Sequence, residues 1–136
     1  MEITKVSSPA STASSAPGVR IRLIRWLVLV NLGLVALQAI SAGFLMSENG
    51  PAIILHRRGA IALELGALLQ VVAAGVLWWR GRVLAWIVRS GIVLFVIVVL
   101  QFGLGRTKRY WLHVPIGVGL FGGLVRQTRH LLRPEW

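Results

Sequence analysis

Four long apolar runs separated by short polar connections organise this chain. The first extends from about Trp26 to Met46 and ends at Ser47-Glu48-Asn49-Gly50-Pro51, where proline suits the first turn of a new helix and Asn or Gly the position before it. The second runs from near Pro51 to Trp79, and the third from about Val83 to Leu104 after the short link Arg80-Gly81-Arg82. At a rise of about 1.5 Å per residue, each of these can cross a hydrocarbon core of roughly 30 Å. The fourth begins near Tyr110 and Trp111, after Gly105-Arg106-Thr107-Lys108-Arg109, and is unbroken only to Val125. It spans only by continuing through Arg126, Arg129, His130, Leu131 and Leu132 with its basic side chains snorkelling, and it is expected to do so and to stop at Pro134. Connections this short make sequential helices antiparallel. The pattern therefore predicts an all-α fold, a four-span transmembrane helix bundle running up-down-up-down.

Composition points the same way. The chain is 56% hydrophobic and 14% charged, with mean hydropathy +0.75, so its solvent is a lipid bilayer. Residues 1–19 differ: the Ser-, Ala- and Pro-rich stretch Ser7 to Gly18 lacks the apolar groups that offset ordering entropy, and it reads as a disordered tail ahead of a membrane domain over 20–133. The apolar run after Arg25 is too long for a signal-peptide core and is expected to stay in the protein.

A net charge of +11 raises the question of nucleic acid, but the cations fall in short clusters between apolar runs, the placement of span ends. No nucleic-acid partner is expected. With the N-terminus in the cytoplasm, that side holds Lys5, Arg20, Arg22, Arg25, Arg80, Arg82, Arg89, Arg126, Arg129 and Arg133. The other side then holds Arg57, Arg58, Arg106, Lys108 and Arg109. Ten against five predicts both termini cytoplasmic, in the plasma (inner) membrane. The chain has no cysteine, which excludes disulfides, thiolate metal sites, iron–sulfur clusters and covalently attached haem.

Candidate chemistry gathers on the less basic side. Leu55-His56-Arg57-Arg58-Gly59 and its echo Leu112-His113-Val114-Pro115-Ile116-Gly117 each put one imidazole at the start of an inward-running helix. Two neutral imidazoles from diagonally related helices of a bundle can hold a haem iron from both faces. Gly59 and Gly117 would leave room for a flat macrocycle, and Arg57, Arg58, Arg106, Lys108 and Arg109 would pair with its propionates. Interfacial histidines that snorkel to headgroups, beside arginines that meet lipid phosphate, account for the same residues without a cofactor. His130, in the basic tail, reads as a surface residue.

Gln38, Gln70 and Gln101 read as hydrogen-bonding groups that hold helices together, and Gln70 lies about four turns beyond His56 on nearly the same stripe. Glu64 is a costly carboxylate inside a span, expected to pair with an outer-side arginine or to carry a proton. It stands about 12 Å along the helix from His56, too far to share a metal ion, so a zinc site is not expected. Gly117, Gly119, Gly122 and Gly123 read as a close-packing face.

The His-Arg pair opening the second helix and the histidine opening the fourth resemble one half of a haem A synthase-like protein and, more loosely, other four-helix b-type cytochromes. The resemblance covers roughly Trp26 to Val125 and implies haem b held by His56 and His113, for electron transfer or haem handling. The second four-helix half of the synthases has no counterpart here, so the chain reads as a binding protein sooner than as an enzyme. Two other classes stay open: a small proton-coupled transporter working through Glu64, as a homodimer, and an accessory subunit docked in a larger membrane complex.

Overall fold

The computed structural model describes residues 17–47 and 50–133, and it is all-helical. Its elements are α1 (Pro17–Met46), α2 (Gly50–Trp79), α3 (Ala85–Arg106) and α4 (Tyr110–Leu132). The segments 1–16 and 134–136 and residues 48 and 49 lie outside the described residues, and with them most of the expected tail and the expected stop at Pro134. α1 begins at Pro17, a residue whose fixed φ suits a first helical turn.

α1, α2 and α3 are long and apolar enough to cross a membrane, which makes this a membrane protein. α4 is one continuous helix past Arg126 to Leu132, as expected, and Pro115 near its start does not break it. Its arginines keep it from matching the other three in apolarity.

The turns explain why the helices stop where they do. Gly81 takes a left-handed conformation (φ 64°), and Arg82 N–H donates to Leu77 O (2.8 Å) while Gly81 N–H donates to Trp78 O (2.8 Å). This paired cap satisfies the last carbonyls of α2, and glycine is the residue that adopts it without strain. Helix three consequently starts at Ala85, two residues later than Val83. The same bonds close α3, from Arg109 N–H to Leu104 O (3.0 Å) and Lys108 N–H to Gly105 O (3.3 Å), but there Lys108 bears the left-handed φ of 56°.

Packing joins α1 to α2, α2 to α3, α3 to α4 and α4 back to α1. α2 and α4 therefore face each other across a diagonal. The exterior is apolar, with Leu65 61% and Val118 69% exposed, while Asn31 (1%) and Gln70 (3%) are among the most enclosed groups. That inversion is expected where lipid surrounds the protein, because burying a leucine away from hydrocarbon gains little and interhelical hydrogen bonds and close packing gain more.

The polar interior forms two layers. The inner one is an amide chain through all four helices: Asn31 Nδ2 donates to Gln70 Oε1 (2.9 Å), Gln70 Nε2 to Gln127 Oε1 (3.1 Å), and Gln127 Nε2 to Ser90 Oγ (2.9 Å). Gly66 makes this possible, since a Cβ there would collide with Asn31 Oδ1. Leu63, Ala67, Leu94, Val98, Leu120 and Leu124 form an apolar layer that lines a small cavity beside the chain. The second polar layer lies about four turns away along α2 and α4, roughly 21 Å, and contains both histidines.

Candidate functional site

His56, in the second turn of α2, and His113, in the first turn of α4, meet across the diagonal with ring centroids 6.3 Å apart and planes at 66°. Each is half-buried. Their outward ring nitrogens are engaged by the two intervening helices. Ser41 of α1, fully enclosed, donates its only hydroxyl proton to Gln38 O (3.1 Å), so its 3.0 Å contact with His56 Nδ1 is a bond from the imidazole N–H to the hydroxyl oxygen. His113 Nδ1 lies 3.1 Å from Gln101 O on α3, and a carbonyl only accepts, so this Nδ1 also carries the proton. In the neutral rings this arrangement puts the proton on Nδ1 and leaves Nε2 as the acceptor. No group among the described residues bonds to either Nε2. That is the form of a metal-binding imidazole, oriented by a hydrogen bond from its other nitrogen.

The supporting glutamines repeat the arrangement on both sides. Gln101 Nε2 donates to His113 O (2.8 Å). The Gln38 amide, oriented as its neighbours require, donates to His56 O (3.0 Å) and accepts from Ala60 N–H (3.1 Å). Each half of the bundle therefore presents a histidine on the even helix, held at its carbonyl by a glutamine from the preceding helix and at Nδ1 by that glutamine's own turn, through Ser41 in one half and directly in the other.

The glycines do something other than expected. A Cβ at Gly59 would collide with the end of the Gln38 amide, and one at Gly117 would stand 2.7 Å from Gln101 Nε2. They admit the two glutamines, whose amides lie where a macrocycle was expected to find room. A third glycine makes room for a ring: a Cβ at Gly105 would lie 3.3 Å from His113 Cε1. In α4, Gly123 packs on Leu94 while Gly119 and Gly122 face open space, so the expected four-glycine packing face reduces to Gly117 and Gly123.

Arg57, Arg58, Arg106, Lys108 and Arg109 are all exposed at the histidine end of the bundle, with the Arg106 guanidinium 5.9 Å above the Phe102 ring. They surround the site without bonding to the histidines. Glu64 is half-buried and has no ion pair among the described residues, so the expected arginine partner is absent there. His130 is not a surface residue: it is half-buried, its ring 5.9 Å from that of Trp86 on α3.

Sequence reasoning missed Ser41 and Gly105, and it gave Gln38 and Gln101 only a general role in holding helices together. Ser41 lies one turn after Gln38 in an apolar run, and that spacing was the available signal. No group of three or more His, Cys, Asp or Glu side chains with metal-binding geometry exists among the described residues. Among the described residues, two imidazoles and no third ligand of that kind are brought together here. No protein-family model matches this chain, and no curated protein or solved structure matches it either.

Proposed function

We propose that this protein is a four-span bundle, up-down-up-down in the plasma membrane with both termini cytoplasmic, that binds one b-type haem between His56 and His113 for electron transfer or haem handling. The observation that carries the reading is the meeting of the two rings across the diagonal, centroids 6.3 Å apart, each with its Nδ1 bonded to a neighbouring helix, at Ser41 Oγ and at Gln101 O. The bound haem would supply a one-electron couple. His56 and His113 would hold it axially, and Ser41 and the Gln101 carbonyl would keep both rings in the ligating tautomer. The leucine and valine layer below would exclude water. Arg57, Arg58 and Arg109, exposed at the same end, are available to its propionates. Gln38 and Gln101 must swing away from Gly59 and Gly117 for the macrocycle to enter, and those glycines have no side chains in its way.

The test is the absorption spectrum of the detergent-purified chain from haem-supplied cells. A Soret band with one b-type haem per chain by pyridine haemochrome is expected. A colourless protein that stays colourless on haem titration contradicts the reading.

Ser41→Ala removes the acceptor that orients His56. Outer-shell partners of this kind are worth about 10- to 100-fold in metal-centre affinity, so haem affinity is expected to fall by that range, measured by titration of the apoprotein. Unchanged affinity would show that Ser41 does not position the ring.

Orientation rests on the ten-to-five charge asymmetry. Cysteines placed at Ser47 and Thr107 are expected to react with an impermeant thiol reagent on intact cells, and one at Arg80 only after permeabilisation. The reverse pattern would invert the topology.

A further inference from the structure

The α3–α4 turn, at the histidine end of the bundle, keeps a lysine where its counterpart at the other end keeps a glycine. The same pair of capping bonds closes α2 and α3, and the left-handed position is Gly81 in the first and Lys108 (φ 56°) in the second. A side chain is strained there, and glycine removes the strain. No contact of the lysine offsets it: Lys108 is exposed, and its amine has no partner among the described residues. The turn that presents it is firmly held. The Thr107 hydroxyl donates to Gly103 O (3.0 Å), the Arg109 N–H donates to Leu104 O (3.0 Å), and the Arg106 guanidinium lies 5.9 Å above the Phe102 ring. The turn is also tied to the site. Gly105 on its near side leaves room for the His113 ring, and on its far side Arg109 O accepts from the His113 N–H (3.0 Å).

Charge selects the partner. Arg57, Arg58, Arg106, Lys108 and Arg109 are all exposed at this end. The only carboxylate among the described residues, Glu64, lies about two turns further in along α2 than Arg57. In the orientation proposed above this is the non-cytoplasmic end, where a positive loop works against the topology, so the charge kept there serves something other than insertion. Cations on a helix flank, such as Arg57 and Arg58, stand where lipid headgroups reach them. Lys108 instead occupies the connection between Arg106, the last residue of α3, and Tyr110, the first of α4, beyond both helix ends. A rigid cationic turn facing water suits an acidic protein surface, since complementary potential steers the encounter and a fixed geometry lowers the ordering cost of binding. We propose that the α3–α4 turn, centred on Lys108 and Arg106, is the docking face for an acidic protein that exchanges electrons with the histidine site. The face stands on charge and geometry, and its redox role rests on the haem reading.

The experiment places the full chain in phosphatidylcholine nanodiscs, with plastocyanin as an acidic electron-transfer probe and cytochrome c as a basic one. Plastocyanin is expected to bind about tenfold tighter than cytochrome c at low ionic strength, an advantage that salt removes. Carbodiimide joins a carboxylate to an amine and leaves guanidinium groups alone, and the chain has two lysines, Lys5 and Lys108. The cross-link to plastocyanin is expected at Lys108. Lys108→Glu should weaken plastocyanin about tenfold, and Arg80→Glu at the opposite end should leave it unchanged. Lys108→Gly should weaken it too, while the melting temperature holds or rises because the left-handed strain is gone. A cross-link at Lys5 in place of Lys108, equal binding of the two probes, or full plastocyanin affinity in Lys108→Glu would each overturn the face. So would a Lys108→Glu variant that loses added phosphatidylglycerol and keeps plastocyanin, since the cations would then serve lipid. None of these readings needs haem, and the Soret band is recorded on the same samples. A coloured chain that fails to dock plastocyanin removes the face alone, whereas a colourless chain that docks it at Lys108 removes the haem reading and the redox role and leaves the face.

Discussion

Alanine at either His56 or His113 is expected to abolish the visible absorption of the purified protein, with less than about a tenth of the haem retained. A single remaining imidazole loses the second axial bond and the enclosure that comes with it. The loss should be equally severe at the two positions, because the rings are held alike: each has its Nδ1 proton bound by a neighbouring helix and its carbonyl bound by a glutamine amide. Both variants should still insert and fold, since neither residue belongs to the inner amide chain. The check is the ratio of Soret to protein absorbance, with far-ultraviolet circular dichroism as the control. Full haem content in either variant would remove that histidine from the site.

The second large effect belongs to the inner layer. Gln70 is 3% exposed and bonds to two partners on two other helices. Gln70→Leu keeps the bulk but leaves Asn31 Nδ2 and Gln127 Oε1 unpaired in the interior. An orphaned buried group costs about 1–3 kcal/mol, and interhelical bonds in membranes average nearer about 0.6 kcal/mol, so a loss of about 2 kcal/mol is expected. The effect should be non-additive: in an Asn31→Leu background, Gln70→Leu should cost at least about 1 kcal/mol less, as coupled groups do. Denaturant unfolding in mixed micelles measures this. Strict additivity would mean that the amide chain carries no stability.

The helices were legible because hydrocarbon imposes a length and because Arg80-Gly81-Arg82 and Thr107-Lys108-Arg109 interrupt apolarity abruptly. The histidine pair was legible because an imidazole inside an apolar run is rare enough to single out, and because two short connections place α2 and α4 parallel. The supporting groups were harder to see. Ser41 gains its role only from the rotation of α1 that turns it toward His56, and three of the four helices are too evenly apolar for their sequence to fix that rotation. Gly59 and Gly117 stand beside the histidines, but what fills the space next to them comes from α1 and α3, which local sequence around the glycines does not reveal. Gln127 went unread because it stands between Arg126 and Arg129, where a polar residue looks like part of a basic helix end. Yet it repeats, relative to His113, the relation of Gln70 to His56. The carboxylate of Glu64 was singled out on cost alone, and cost does not name a partner.

The central claim is that two histidines from diagonal helices hold one iron together. Electron paramagnetic resonance of the ferric, haem-loaded protein tests it most directly, because two imidazole ligands give a low-spin centre and a single imidazole leaves a high-spin one. A low-spin signal accounting for the whole haem content, and its conversion to high spin or its loss in His113→Ala, is the predicted result. A high-spin signal in the unsubstituted protein, or a low-spin signal that survives in His113→Ala, would contradict it.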